Sequence, residues 1–240
     1  MFDKAHAQCV LSFYQDYSMY YIGIDPSWSG KNNTAVVVCD NTLQVIESCY
    51  TNDIKKIILA IVPFKDAIIG IDAPLIIKNE TGHRRHETEF LRVFSRFGLG
   101  LHAVNKKRYP YFFPEVLYKE LSALGYSFNK NNIYEVYPHA TIMTCFTHMQ
   151  LLQYKSKYGV TVRRKNMEKL YNYLAGVVTC GYLFTGTIAQ AKGKQLKKYE
   201  DYLDALVCAY TIYYCMHKKC YRFGDPENGI LLVPAIEGPI

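Results

Sequence analysis

The chain has 240 residues, of which 50% are hydrophobic and 20% are charged, and its formal net charge is +7. These proportions exclude a disordered chain and fit one large globular domain or two small ones. No apolar stretch approaches the roughly 20 residues that cross a bilayer, which excludes a membrane-spanning protein.

The first predicted strand, residues 20–25, contains a short motif that occurs twice in the chain. Ile22-Gly23-Ile24-Asp25-Pro26 is echoed by Ile69-Gly70-Ile71-Asp72-Ala73-Pro74. Runs that are apolar on both faces are typical of strands buried in a parallel sheet, and proline ends such strands because it cannot donate to the ladder. Two strand ends that each carry a carboxylate predict a divalent-metal site in an α/β fold.

The remaining elements follow in a simple order. An antiparallel hairpin is predicted after the first strand, because Asp40-Asn41 is a sequence that favours a turn. A helix that ends at Val62 and is capped by Thr51 or Asn52 then leads to the fourth strand. Later elements include a fifth strand and several amphipathic helices. The predicted strands are 34–40, 44–50, 67–72, 133–137 and 230–233, and the predicted later helices are 83–97, 114–124, 167–179 and 199–217.

This order predicts one α/β domain spanning residues 1–240, with an N-terminal extension at 1–19 and a helical insertion at 76–130. The expected core is a five-stranded mixed sheet in the order 3-2-1-4-5, flanked by helices. A helical crossover would place the fourth strand beside the first and parallel to it. Asp25 and Asp72 would then lie on neighbouring strands.

A third group of carboxylates lies in the last predicted helix. Asp201 and Asp204 are three residues apart, so they project from one side of the helix. The helix dipole alone could explain Glu200 and Asp201 near the helix start. It does not explain Asp204, which is flanked by Leu203 and Ala205 and needs a partner or a metal ion to offset its desolvation.

Basic residues occur in clusters, and the chain has 22 tyrosines and a single tryptophan. Lysines and arginines interleaved with aromatic rings are typical of nucleic-acid surfaces, although solvated surface charges are the simpler alternative. Trp28, just beyond Asp25, could stack on a base or belong to the core. The candidate nucleic-acid-binding residues are Trp28, Arg84, Arg85, Lys106, Lys107, Arg108, Arg163, Arg164 and Lys165.

The eight cysteines show no C-x-x-C pair and no spacing typical of a zinc site. Four of them, Cys39, Cys145, Cys180 and Cys208, lie among apolar neighbours, which favours reduced thiols over a disulfide framework. Residues 1–7 mix charges early and lack the apolar core of a signal peptide. The expectation is a cytoplasmic protein without a membrane partner, and its oligomeric state is left open.

Several motifs together resemble a known family. Asp201-x-x-Asp204-Ala205-Leu206 resembles the last catalytic helix of the RuvC-type resolvases, which have a ribonuclease H-like fold. The whole chain, from residue 20 to about 235, is similar to a bacterial and archaeal family of predicted RNase H-like nucleases. Besides the two aspartate phrases, the matching motifs are Gly82-His83-Arg84-Arg85, Glu135-Val136-Tyr137-Pro138-His139-Ala140 and Gly224-Asp225-Pro226-Glu227-x-Gly229-Ile230.

The resemblance implies a ribonuclease H-like fold and a nuclease that hydrolyses phosphodiester bonds of DNA or RNA with two Mg²⁺ or Mn²⁺ ions. Asp25 would bridge the ions, Asp72 would bind one, and Asp204 with Asp201 would bind the other. Glu135 could be an outer ligand, orient a water, or pair with an arginine. Without metal the carboxylates would repel one another, so Asp25→Asn and Asp204→Asn are both expected to raise thermal stability.

Two alternatives to the nuclease stay open. One is a non-catalytic RNase H-like module that binds nucleic acid, and the other is a small-molecule phosphohydrolase. All four aspartates are present, which favours catalysis. His139, after the fifth strand, could shuttle a proton or be a hydrogen-bonded structural histidine.

Overall fold

The computed structural model describes residues 19–236, which form one mixed sheet flanked by α-helices. The strands are β1 Tyr20–Asp25, β2 Thr34–Cys39, β3 Val45–Thr51, β4 Ala67–Ile71, β5 Ile133–Val136, β6 Cys220–Asp225 and β7 Gly229–Pro234. The helices are α1 Ile54–Ile61, α2 Arg85–Phe94, α3 Phe113–Ala123, α4 Pro138–Cys145, α5 Val160–Ala175 and α6 Gly193–His217. The predicted N-terminal extension lies almost entirely outside the described residues.

The sheet has seven strands in the order β3-β2-β1-β4-β5-β7-β6. β1, β2 and β3 form an antiparallel meander, and β4, β5 and β7 run parallel to β1. The predicted order 3-2-1-4-5 is therefore confirmed, whereas the predicted count of five strands is wrong. β7 extends the sheet beyond β5, and β6 pairs with β7 as an antiparallel hairpin. β6 was not predicted from the sequence, because most residues of this strand are only partly buried or exposed.

Several helix boundaries differ from the prediction. α1 is capped by Asp53, whose side chain accepts a hydrogen bond from the Lys55 amide, and not by Thr51 or Asn52. α5 and α6 each begin about two turns earlier than predicted, in polar segments without a clear apolar period. α4 was not predicted at all. Pro138 ends β5 and also occupies the first turn of α4, where its missing N–H costs nothing.

The two repeated glycines explain how α6 packs on the sheet. A Cβ at Gly23 in β1 would lie 1.8 Å from the carbonyl oxygen of Ala205 in α6. A Cβ at Gly70 in β4 would lie 2.7 Å from the Ile212 side chain and 2.9 Å from the Cys208 carbonyl oxygen. Any side chain at either position would push the helix away. The glycines therefore allow the backbone of α6 to rest directly on the two central strands.

The cysteine prediction is wrong in one place. Cys215 near the end of α6 and Cys220 at the start of β6 form a disulfide. Five further cysteines, at positions 39, 49, 145, 180 and 208, are not part of a disulfide. Cys9 lies outside the described part of the chain. Between residues 19 and 236, every helix is too short or too polar to span a membrane.

Candidate metal centre

Three carboxylates from three different elements converge on one point. Asp25 ends β1, Asp72 directly follows β4, and Asp204 lies in α6. Each offers an oxygen, and these three oxygens all lie within 4.8 Å of one another. Hard carboxylate oxygens at such spacing are the ligands that Mg²⁺ and Mn²⁺ prefer. The part of the chain that the structure describes contains one such group of potential ligands.

The register of the parallel strands accounts for two of these positions. Gly23 pairs with Gly70 and Ile24 with Ile71, so the next residue along each strand is an aspartate. The Asp72 amide donates a 2.9 Å hydrogen bond to the Ile24 carbonyl oxygen, which continues the ladder by one residue. The close approach of α6 at the two glycines then brings Asp204 to the same edge.

The cluster carries more negative charge than its surroundings compensate. Burial, followed by the charges of Asp204, Asp201 and Asp72, raises the pKa of Asp25 well above its ordinary value. Burial is also the main cause that raises the pKa of Asp72 to about 7, with Asp204 adding to it and Lys155 opposing it. A bound divalent cation would relieve this repulsion, so the donor set fits a metal site.

Lys155 is the principal residue at this site that sequence reasoning missed. Its ammonium group pairs with Asp204 Oδ2, and the Tyr154 hydroxyl donates a 2.6 Å hydrogen bond to Asp204 Oδ1. Burial lowers the pKa of Lys155, but Asp204, Asp25 and Asp72 together raise it above its ordinary value. Lys155 lies in the connection between α4 and α5, where no periodicity or motif marks it.

Asp201 flanks the cluster and is not one of the three converging carboxylates. The Tyr50 hydroxyl donates to its Oδ2 at 2.9 Å, and Lys197 Nζ lies 2.6 Å from its Oδ1. Both oxygens of Asp201 therefore already have partners, as do both oxygens of Asp204. The role of Asp201 as a metal ligand stays a prediction, and its observed contacts hold Lys197 at the rim of the site.

Glu135 adopts the alternative in which it pairs with an arginine. Arg84 donates two hydrogen bonds of 2.8 Å to its carboxylate, and the Leu75 amide donates a third of 2.7 Å. Burial alone would raise the pKa of Glu135, but Arg84 and His86 lower it to about 2. This buried ion pair ties Glu135 to the chain that follows Asp72, and its catalytic role stays a prediction.

The predicted basic residues are divided between internal ion pairs and the surface. Arg84 is buried against Glu135 and Glu87, Arg163 is buried against Glu200, and Arg164 donates to the Ala191 carbonyl oxygen. These three arginines therefore stabilise internal contacts of the fold, and their contact with phosphate stays a prediction. The exposed members are Arg85, which pairs with Glu89, Lys106, which pairs with Glu80, and Lys107, Arg108 and Lys165.

A different set of lysines surrounds the aspartates. A cleft of about 740 Å³ beside the cluster is lined by Asp25, Asp72 and Asp201 together with four lysines: Lys31, Lys155, Lys194 and Lys197. Lys194 and Lys197 belong to the first turns of α6, which the sequence did not assign to a helix. The cleft therefore combines carboxylates with three exposed lysines, Lys31, Lys194 and Lys197, whereas Lys155 lies among the carboxylates themselves.

Trp28 lines both this cleft and a second cavity of about 320 Å³. Its indole makes edge-on contacts with Tyr109 and Phe112, at centroid distances of 5.5 and 5.3 Å, and it remains partly exposed. Both interpretations of Trp28, as a core residue and as a stacking surface, thus have support, because one edge of the indole packs on the core and the remainder faces the site. His139 lines the second cavity, and burial, followed by Lys155, lowers its pKa to about 3, so it is neutral.

Comparison with known proteins identifies a family for this chain. The profile of a family described as "Protein of unknown function (DUF429)" matches residues 23–112 and 115–228. The matched segments contain the three converging aspartates, Lys155 and the Arg84–Glu135 ion pair. Neither the curated proteins nor the solved structures include a significant match. Because the profile covers most of the chain, the protein belongs to the DUF429 family of proteins of unknown function.

Proposed function

We propose that this protein is a divalent-metal-dependent nuclease that hydrolyses phosphodiester bonds of nucleic acid. The observation that carries the proposal is the convergence of Asp25, Asp72 and Asp204 within 4.8 Å at the edge of a lysine-lined cleft. Carboxylates alone would repel a phosphodiester. A cation held by them, with lysines on both sides, creates a site for an anionic substrate.

Asp25, Asp72 and Asp204 would hold Mg²⁺ or Mn²⁺. When bound, such an ion supplies Lewis-acid stabilisation of the phosphate and makes a nucleophile available from water at neutral pH. The exposed ammonium groups of Lys31, Lys194 and Lys197 lie where they can contact phosphates of the same strand. Lys155, paired with Asp204, places one further positive charge beside the reacting phosphate.

The fold supports the same proposal. The sheet order 3-2-1-4-5, with its antiparallel meander followed by parallel strands, is consistent with a ribonuclease H-like core. In that arrangement acidic residues at the ends of the two central strands and on the last helix share a metal site, as the resemblance of the motifs implies. Three carboxylates converge in the described residues, and Asp201 is already hydrogen-bonded to Tyr50. The number of metal ions bound is therefore one of the quantities that the metal titration measures.

The test uses the purified full chain with Mn²⁺ and labelled single-stranded, duplex, hybrid and branched substrates. We expect cleavage that Asp25→Asn abolishes and that Asp66→Asn leaves intact. Asp66 is an exposed aspartate before β4, so it is a matched control for the loss of one negative charge. Calorimetric titration of Mn²⁺ should show binding to the unchanged protein and to Asp66→Asn, and weaker binding to Asp25→Asn.

Each alternative has its own outcome in this experiment. Full activity of Asp25→Asn would refute the metal-dependent mechanism. Salt-sensitive binding of nucleic acid without any cleavage would favour the non-catalytic module. Hydrolysis of nucleoside monophosphates or p-nitrophenyl phosphate, but not of oligonucleotides, would favour the small-molecule phosphohydrolase. The 320 Å³ cavity beside Asp72 is the feature that makes this last assay necessary.

A further inference from the structure

The second cavity differs in chemistry from the lysine cleft that it adjoins. Its lining combines aromatic and aliphatic side chains with charged ones. The first group includes Trp28, Leu101, His102, Val136, Tyr137 and His139, and the second includes Lys157 and the mutually paired Arg84, Glu87 and Glu135. Asp72, Lys155 and Trp28 line both spaces. A molecule whose phosphate lies at the aspartates could therefore extend into this cavity without leaving the site.

The aromatic walls are held in place by contacts of their own. The Tyr137 hydroxyl donates a 2.8 Å hydrogen bond to the Gly100 carbonyl oxygen, which ties β5 to the loop that carries Leu101 and His102. The His139 ring lies between those of Tyr137 and Tyr154, at centroid distances of 5.8 and 4.9 Å. The backbone of Trp28 accepts a 3.0 Å hydrogen bond from the Phe113 amide, and its indole packs against Tyr109 and Phe112. The cavity is thus formed before any ligand arrives.

Size and chemistry restrict the occupant. Ligand pockets begin at roughly 300 Å³, so this cavity has room for one flat heterocycle with its sugar and no room for a base pair within a duplex. Aromatic walls suit a nucleobase because every base offers a π-face for stacking. Lysines that would hold the adjoining phosphates line the neighbouring cleft, and one of them, Lys155, lines both spaces.

We infer that this cavity binds one unpaired nucleobase of the strand whose phosphate lies at the aspartate cluster. The substrate is then single-stranded nucleic acid, or a duplex from which one nucleotide is extruded. This inference rests on the proposed function and names its substrate class. A base that is stacked and paired inside a duplex cannot enter, so a continuous blunt duplex is a poor ligand.

Trp28 makes the inference directly measurable, because it is the single tryptophan of the chain. The full protein is titrated in Ca²⁺, with substrate integrity checked on a gel, and tryptophan fluorescence is followed. The probes are a single-stranded oligonucleotide, a blunt duplex of the same sequence, and a series of single strands that each carry one abasic site. We expect the intact strand to quench Trp28 and the duplex to leave it unchanged. One abasic position should weaken binding by roughly 5- to 100-fold, the range for loss of one stacked base.

A pair of loop variants tests the same point from the protein side. His102 is exposed and its ring faces Trp28 at 6.0 Å, so His102→Ala removes one wall of the cavity without disturbing the core. Tyr111 lies on the same loop, is 58% exposed and does not line the cavity, so Tyr111→Ala is the matched control. His102→Ala should weaken single-strand binding and reduce the abasic effect, whereas Tyr111→Ala should do neither.

The outcomes separate this inference from the proposed function. Equal binding of the abasic series, the intact strand and the duplex would overturn the base cavity, even if Mn²⁺-dependent cleavage is observed. Absence of cleavage with every substrate, together with a clear abasic effect, would overturn the nuclease and leave the base cavity standing. A nucleoside monophosphate that quenches Trp28 as strongly as the strand does, and binds as tightly, would overturn the strand assignment in favour of a free nucleotide.

Discussion

Replacing Asp72 by asparagine should stabilise the metal-free protein at pH 8 and leave it unchanged near pH 4. The pKa of Asp72 is raised from 3.8 to about 7, chiefly by burial. The folded protein therefore holds this proton up to about pH 7, whereas the unfolded chain releases it near pH 3.8. Stability is lost as the pH rises through this window, and asparagine, which does not ionise, escapes the loss.

The increase in the free energy of unfolding that Asp72→Asn produces follows from the same two pKa values. A carboxyl whose pKa rises from 3.8 to about 7 costs at most roughly 4 kcal/mol when it ionises. Asp72 is partly exposed and water screens its charge, so we expect about 1–2 kcal/mol for Asp72→Asn. In a chain of this length that corresponds to a rise in Tm of roughly 3–6 °C.

The same substitution at Asp204 should have the opposite sign, which reverses the expectation from the sequence. Asp204 is fully buried and accepts hydrogen bonds from Tyr154 and Lys155. Loss of one partner in a buried ion pair costs roughly 3–5 kcal/mol. Lys155 keeps Asp25 and Asp72 as neighbours and is 26% exposed, so we expect a loss of about 2 kcal/mol.

Thermal and urea denaturation in EDTA at pH 8 and pH 4 would test both predicted changes in stability, the gain for Asp72→Asn and the loss for Asp204→Asn. Mn²⁺ should then raise the Tm of the unchanged protein, by an amount that grows with its concentration, and should raise that of either variant less. Destabilisation by Asp72→Asn at pH 8 equal to that by Asp204→Asn would refute the reasoning, because both residues would then be structural. A gain that is the same at both pH values would refute the electrostatic cause.

Two further predictions concern the frame around the cluster. Gly23→Ala should destabilise the protein by about 3 kcal/mol or more and weaken Mn²⁺ binding, because the added Cβ displaces α6. Urea denaturation and calorimetric titration measure the two effects. Gly181→Ala, where a Cβ meets nothing within 4 Å, is the control and should have neither effect. Glu135→Gln should cost about 3 kcal/mol at pH 7, because it leaves Arg84 buried with Glu87 as its remaining ion-pair partner. Since the pKa of Glu135 is lowered to about 2, its contribution is complete above pH 4.5 and is lost as the pH falls towards 2. The gap between this variant and the unchanged protein should therefore narrow in urea titrations from pH 7 to pH 3, and a constant gap would contradict the ion-pair explanation.

The sequence by itself determined the central part of this protein. Two apolar runs that each end in an aspartate predicted adjacent parallel strands, and the observed register pairs Gly23 with Gly70 and Ile24 with Ile71. Such patterns are informative because an apolar run that is buried on both faces, and the proline that ends it, are both visible in a few consecutive residues of the sequence. The acidic face of the last helix was readable for the same reason, since three- and four-residue spacing defines one side of a helix.

Only the tertiary structure decided which charges meet. Lys155 reaches Asp204 across 49 residues, and Arg84 reaches Glu135 across 51. Neither contact has a local signal, because each depends on how a connecting segment returns to the sheet. Arg84 and Arg163, which the sequence alone would allow to be surface charges, are buried for the same reason. A charge pattern along the chain records composition, whereas the partner of each charge, and hence its role, is set by the packing of elements distant in sequence.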